Sequence, residues 1–212
     1  MKISEKGLTA LIGHEGIVPG PYKDSVGVLT YGVGHTKAAG SPNPADMHKG
    51  MPSDLDAALE TVFEVFAKDI EKYAADVDRA IKVPVSQHEF DAAVSFHYNT
   101  GAIASATWVK TLNGGDHALA ATQIMNWVKP PEIIPRRQAE QDLFSKGVYP
   151  SGSAIVWKVD SNCKVIWSPE CTLAPEQIMD YLAPKETKHK RRDELKDKLP
   201  KVCPTCGGTG KV

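Results

Sequence analysis

The chain has 212 residues, of which 42% are hydrophobic and 24% charged, and its formal net charge is −1. That balance excludes a global electrostatic footprint for nucleic acid, and no apolar run reaches the roughly 20 residues that would span a bilayer. One substantial domain plus an appendage fits the length. The first 14 residues lack the apolar centre of a signal peptide, with Glu5, Lys6 and His14 interrupting. The protein is therefore expected in the cytoplasm until it is released.

In chain order, Leu8, Leu11 and Ile12 form one helical stripe, with Ser4 as cap and Glu5 in the first turn. Gly13 and Gly16 are expected to end this helix, leaving Glu15 at its negative end, a field that favours a protonated carboxyl. Val26 to His35 alternates with period two and reads as a small hairpin turning near Gly27. Asp24 falls in the loop entering it, and Thr30 lies on a strand. Two carboxyls in unlike environments can divide acid and base roles, and a nearby hydroxyl can hold a water. A Glu and an Asp nine positions apart are, on their own, more often plain surface charges.

Residues 37–52 read as loop, with three prolines and two glycines. Ser53 is expected to cap a long helix, because Leu55, Leu59, Val62, Phe66, Ile70, Tyr73, Val77 and Ile81 step by three or four. At about 1.5 Å per residue it would run roughly 40 Å, enough to link two lobes. Pro84 stops it, and Ser86 to Glu89 is a capping box for the next helix. Further helices are expected over 118–128 and 134–144. His88 and His97 read as ordinary packed or surface residues rather than metal ligands, and no H-E-x-x-H is present. Arg136 and Arg137 could grip an acidic group, though paired arginines are more often solvated or salt-bridged.

The string E-G, Y-K-D, G-V-L-T-Y-G-V-G-H-T between Glu15 and Thr36 resembles the phage-type lysozymes of glycoside hydrolase family 24. S-F-H-Y-N-T-G from Ser95, the L-N-G-G-D turn ending at Asp116, and R-R-Q-A-E from Arg136 resemble further family motifs. The resemblance covers about residues 4–146. It implies an α+β, mostly helical, lysozyme-like fold, with a small β-hairpin lobe, a long connecting helix and a helical C-terminal lobe. It implies hydrolysis of the β-1,4 bond between N-acetylmuramic acid and N-acetylglucosamine in peptidoglycan, by a monomer and without a catalytic cofactor. Glu15 would be the acid, Asp24 the base or electrostatic stabiliser, and Thr30 the holder of the attacking water, an inverting scheme. Gly34 and Thr36 would touch substrate. His35 is expected to support the hairpin by pairing with an acid. The rival readings are a lytic transglycosylase, which needs the glutamate alone, and a wall-binding module with a metal-binding tail.

The expected division is a catalytic domain over 1–149, an accessory segment over 150–184, and a charged linker with a cysteine tail over 185–212. Residues 154–166 suggest a hairpin around Asp160 to Asn162, and 175–182 a short helix. The linker carries seven basic and four acidic residues between Lys185 and Lys198. All four cysteines lie in the last quarter, so the core needs no disulfide. The C-x-x-C-G-G-x-G of Cys203 and Cys206 resembles half a repeat from the zinc region of J-protein heat-shock chaperones. A structural zinc needs four ligands, and Cys163 and Cys171 are spaced unlike a knuckle. Zinc, redox-active thiols and a disulfide all remain open for the tail.

Overall fold

The computed structural model describes residues 1–183. Among the described residues, seven α-helices and two small antiparallel sheets make up an α+β, predominantly helical architecture. Cys203 and Cys206 lie outside the described residues. No helix among those described is long and apolar enough to cross a membrane.

Helix α1 (Glu5–Glu15) starts where the Ser4 hydroxyl accepts the Gly7 N–H, and ends at Gly16, whose φ of 70° suits glycine. Gly13 does not end the helix but lies inside it. A β-carbon there would sit 3.0 Å from the Ser153 carbonyl oxygen, so this glycine serves a close approach by the C-terminal segment. Leu11 and Ile12 are fully buried.

The first sheet has three strands, β1 (Val18–Lys23), β2 (Leu29–Gly32) and β3 (His35–Thr36), in that order. The turn between β1 and β2 contains Gly27 at φ 84°. The hairpin's first strand thus precedes Asp24. Pro19, Gly20 and Pro21 hide it from the alternation rule, and a register shift between Val18 and Tyr22 accommodates them.

Helix α2 (Leu55–Ala80) has 26 residues. Its cap is Asp54, not Ser53, because the Asp54 carboxylate reaches the Ala57 N–H at 3.0 Å. Leu59, Val62, Phe66, Ile70 and Val77 are buried along one side. Helix α3 (Gln87–Thr100) opens with the complete Ser86–Glu89 capping box and closes at Gly101 in the left-handed region. Then come α4 (Thr107–Asn113), α5 (His117–Ile124) and α6 (Ile134–Lys146). Asp116 caps α5. That helix stops short of the expected 128, as turns at Met125 to Trp127 take over.

The C-terminal part folds back onto the start of the chain. Strands β4 (Ala154–Val159) and β5 (Val165–Leu173) form an antiparallel hairpin, followed by α7 (Pro175–Leu182). β4 meets the chain just before β1 through a parallel bridge at Ile17 and Val156. The Ile17 N–H donates to Ile155, and the Trp157 N–H to Ile17. Ala154, Val156, Leu173 and Ile178 are buried in the same apolar cluster as Leu11 and Ile12. Tyr181 stacks on Phe63 of α2 with ring centroids 5.2 Å apart.

Candidate active site

Glu15 is the last residue of α1, and its carboxylate is half-buried. Oε1 accepts from Arg136 Nη1 at 2.6 Å. Oε2 faces the turn between β2 and β3, where a β-carbon on Gly34 would lie 3.8 Å away. Gly34 has φ 83° and is held by its neighbour, since the Tyr98 hydroxyl donates to the Val33 carbonyl. The helix terminus was expected to set the field at Glu15. The structure adds an opposing positive charge, the Arg136 guanidinium.

Arg136 belongs to a buried chain of charge. Its Nε donates to Glu140 at 3.1 Å, and its Nη2 to the Ser95 carbonyl. Glu140 also accepts from the Ser95 hydroxyl at 2.7 Å and from Arg137. Arg137 reaches the Asn99 side chain at 2.6 Å. Burial alone would lower the pKa of Arg136, but Glu15 and Glu140 outweigh it and raise it. Arg137 is lowered, first by burial and then by Arg136, against the pull of Glu140. The network accounts for Ser95, Asn99, Arg136, Arg137 and Glu140 together. Its function was not legible beforehand, because the partners lie on separate helices. His14 sits beside it, and burial together with Arg136 and Arg137 lowers its pKa from 6.5 to about 4.

Asp24 begins the β1–β2 turn. Its Oδ1 accepts the Val26 and Val28 N–H groups at 3.0 and 2.8 Å, so one oxygen fixes the turn. Tyr22 stands just before this turn, on β1. Burial, with the charges of Glu15 and Asp24, pushes its phenol above the usual range. Thr30 pairs across the sheet with Tyr22 on one side and Thr36 on the other, so the three side chains share one face. Thr30 is buried, its hydroxyl donating to Val28 O at 3.1 Å. Thr36 is half-buried. Tyr22 and Tyr98 went unnamed among the sequence candidates. Tyr22 stood inside the Y-K-D string, but nothing in its spacing marked it out.

His35 is buried, with Nδ1 2.6 Å from Asp69 and Nε2 2.7 Å from the Pro42 carbonyl. It braces the sheet against α2 and the following loop, away from Glu15's hydrogen bonds. Among the described residues no group of histidines, cysteines and carboxylates could hold a metal. Cys163 is buried and Cys171 partly so, both as free thiols.

The family model for phage lysozyme matches residues 12–140. The chain belongs to the phage lysozyme family. Among lysozyme relatives, an endolysin of Acyrthosiphon pisum secondary endosymbiont phage 1 is 34% identical over 156 residues, covering 68% of this chain and 98% of that one. The solved endolysin from Escherichia coli O157:H7 phage FAHEc1 superposes with a TM-score of 0.60 at 34% identity, over 71% of this chain and 97% of that chain. The muramidase domain of SpmX from Asticaccaulis excentricus gives 0.54 at 25% identity, over 68% and 98%. The lysozyme match spans Glu15, Asp24, Thr30 and Arg136, but stops before β4.

Proposed function

We propose that this phage lysozyme is a muramidase that hydrolyses the β-1,4 glycosidic bond of peptidoglycan with inversion. The observation that carries the reading is the family match running through Glu15, Asp24 and Thr30, with Glu15 held by Arg136 on one oxygen and turned toward Gly34 with the other. Arg136 occupies Glu15 Oε1, which leaves Oε2 as the oxygen from which a general acid's proton would depart. Glu15 delivers it to the leaving glycosidic oxygen as the C–O bond breaks. A water held by Thr30 and Asp24 attacks the anomeric carbon from the opposite face, and Asp24 takes its proton. The Thr30 hydroxyl already donates to Val28, so its lone pairs receive the water's second hydrogen. Room for that water calls for carboxyls roughly 6.5 to 9.5 Å apart.

Gly34 and Thr36 line the substrate, and His35 acts through the sheet it braces. The enzyme works as a monomer at the cell wall. Mass analysis of purified peptidoglycan after digestion tests the assignment. Reducing-end muramic acid is the expected product. Anhydro-muramic acid would replace the hydrolase with a lytic transglycosylase.

A further inference from the structure

The hairpin of β4 and β5 lies beyond residues 12–140, so the family match assigns it nothing. It presents an unusual surface feature. Trp167 is 78% exposed, beside Ile166 at 45%. An exposed indole offers a flat apolar face on which a ligand can stack. The ring is not loosely placed. Trp157 packs edge-to-face against it, centroids 5.2 Å apart. Trp157 is in turn seated on Gly16, where a β-carbon would lie only 3.0 Å from its indole nitrogen. Gly16 immediately follows Glu15. The pairing register jumps on both sides of Trp157, from Cys171 to Pro169 and then to Ile166. That irregularity places Trp167 outside regular pairing, as bulges re-aim side chains near sites. The aromatic pair is thus continuous with the catalytic end of α1. It lies on the edge of β1 opposite β2, since Ile17 bonds to β4 while Val18 pairs with Gly32.

We propose that Trp167, backed by Trp157, is an accessory subsite for the glycan strand, stacking on an N-acetylhexosamine ring beyond those at the cleavage point. The ligand class follows from shape and charge. A pyranose ring offers a flat face of C–H groups with partial positive charge, and an indole face is electron-rich. On the same hairpin Lys158, which pairs with Ile166, stands 3.5 Å from Glu170, and the two charges offset each other, which suits a neutral sugar. The subsite rests on the muramidase reading, because its glycan is the one Glu15 would cleave.

The test uses the full chain carrying Glu15→Gln, so that binding is read without turnover. Co-sedimentation with purified insoluble peptidoglycan is expected to weaken about tenfold on Trp167→Ala and less than threefold on Trp167→Phe. Oligomers of N-acetylglucosamine should shift the tryptophan emission to the blue in the parent, and not in the alanine variant. With Glu15 intact, Trp167→Ala should keep kcat on short oligosaccharides and raise KM for the polymer. Unchanged sedimentation on Trp167→Ala overturns the subsite, as does a change from dimer to monomer, which would make the patch a self-interface. Retained hydrolysis by Glu15→Gln would instead overturn the assignment of the acid, and the sedimentation comparison would still stand.

Discussion

Arg136 and Glu15, 121 positions apart, meet in an ion pair of 2.6 Å that joins the end of α1 to the start of α6. The guanidinium is mostly buried and also bonds Glu140, so its planar fork fixes the orientation of the Glu15 carboxylate. Arg136→Lys keeps the charge but loses the fork. Wall clearing by that variant should fall by about 10- to 100-fold, in line with the cost of misplacing a reacting group by about an ångström. Turbidity assays at matched protein concentration check this.

Glu15→Gln should lower activity by about a thousandfold, the range for loss of a general acid. The side chain is at the surface of the site rather than in the core, and Gln can still accept from Arg136. Thermal unfolding should therefore stay within a few degrees of the parent. A variant that retained lysis would refute the acid assignment.

Asp24 combines a turn-forming role with its proposed chemistry. Asp24→Asn keeps an oxygen for the Val26 and Val28 N–H groups, whereas Asp24→Ala loses it. Both should be strongly impaired in hydrolysis, but only the alanine variant should also lose about 1 kcal/mol of stability. Urea titration of the pair separates the two contributions.

His14 makes stability fall with acid. Its imidazole takes a proton near pH 6.5 when unfolded, but only near 4 when folded, owing to burial and then to Arg136 and Arg137. Between those values the unfolded chain binds more protons, so stability is full above about pH 7 and declines until about pH 4. The decline amounts to about 3 kcal/mol at most, at 1.4 kcal/mol per pH unit. His14→Gln should flatten this part of the profile, read by denaturant midpoints at a series of pH values.

Ile178 of α7 is completely buried, with Leu11 and Phe63 in the same cluster. Ile178→Ala should cost about 2 to 5 kcal/mol. Ending the chain at 149 should cost more, because it strips β4, β5 and α7 from α1 at once. Circular dichroism melts of both proteins measure the difference.

Periodicity and caps made much of the fold legible. The stripe from Leu55 to Val77 announced α2, and the Ser86–Glu89 pair announced α3, because both signals are local. The choice between Ser53 and Asp54 as cap was a matter of one residue of phase, since both residue types can cap a helix. It depends on which side chain reaches the Ala57 N–H. β1 escaped notice since Pro19, Gly20 and Pro21 carry none of the usual strand preference. The proposed site residues Glu15, Asp24 and Thr30 lay within one short string, which brought them to notice together. The service of Arg136 to Glu15 could not be read, since long-range pairing leaves no trace in spacing.

Two glycines near the end of α1 each receive the C-terminal hairpin: Gly13 meets Ser153, and Gly16 meets Trp157. A nascent chain leaves the ribosome from its amino end, so residues 5–15 emerge long before the strands that shelter them. The helix ending in Glu15 must wait for at least residue 157 to be made before its surroundings are complete. Contacts this distant in sequence also slow folding. Incomplete translation products should consequently be inert toward the wall of the cell that makes them.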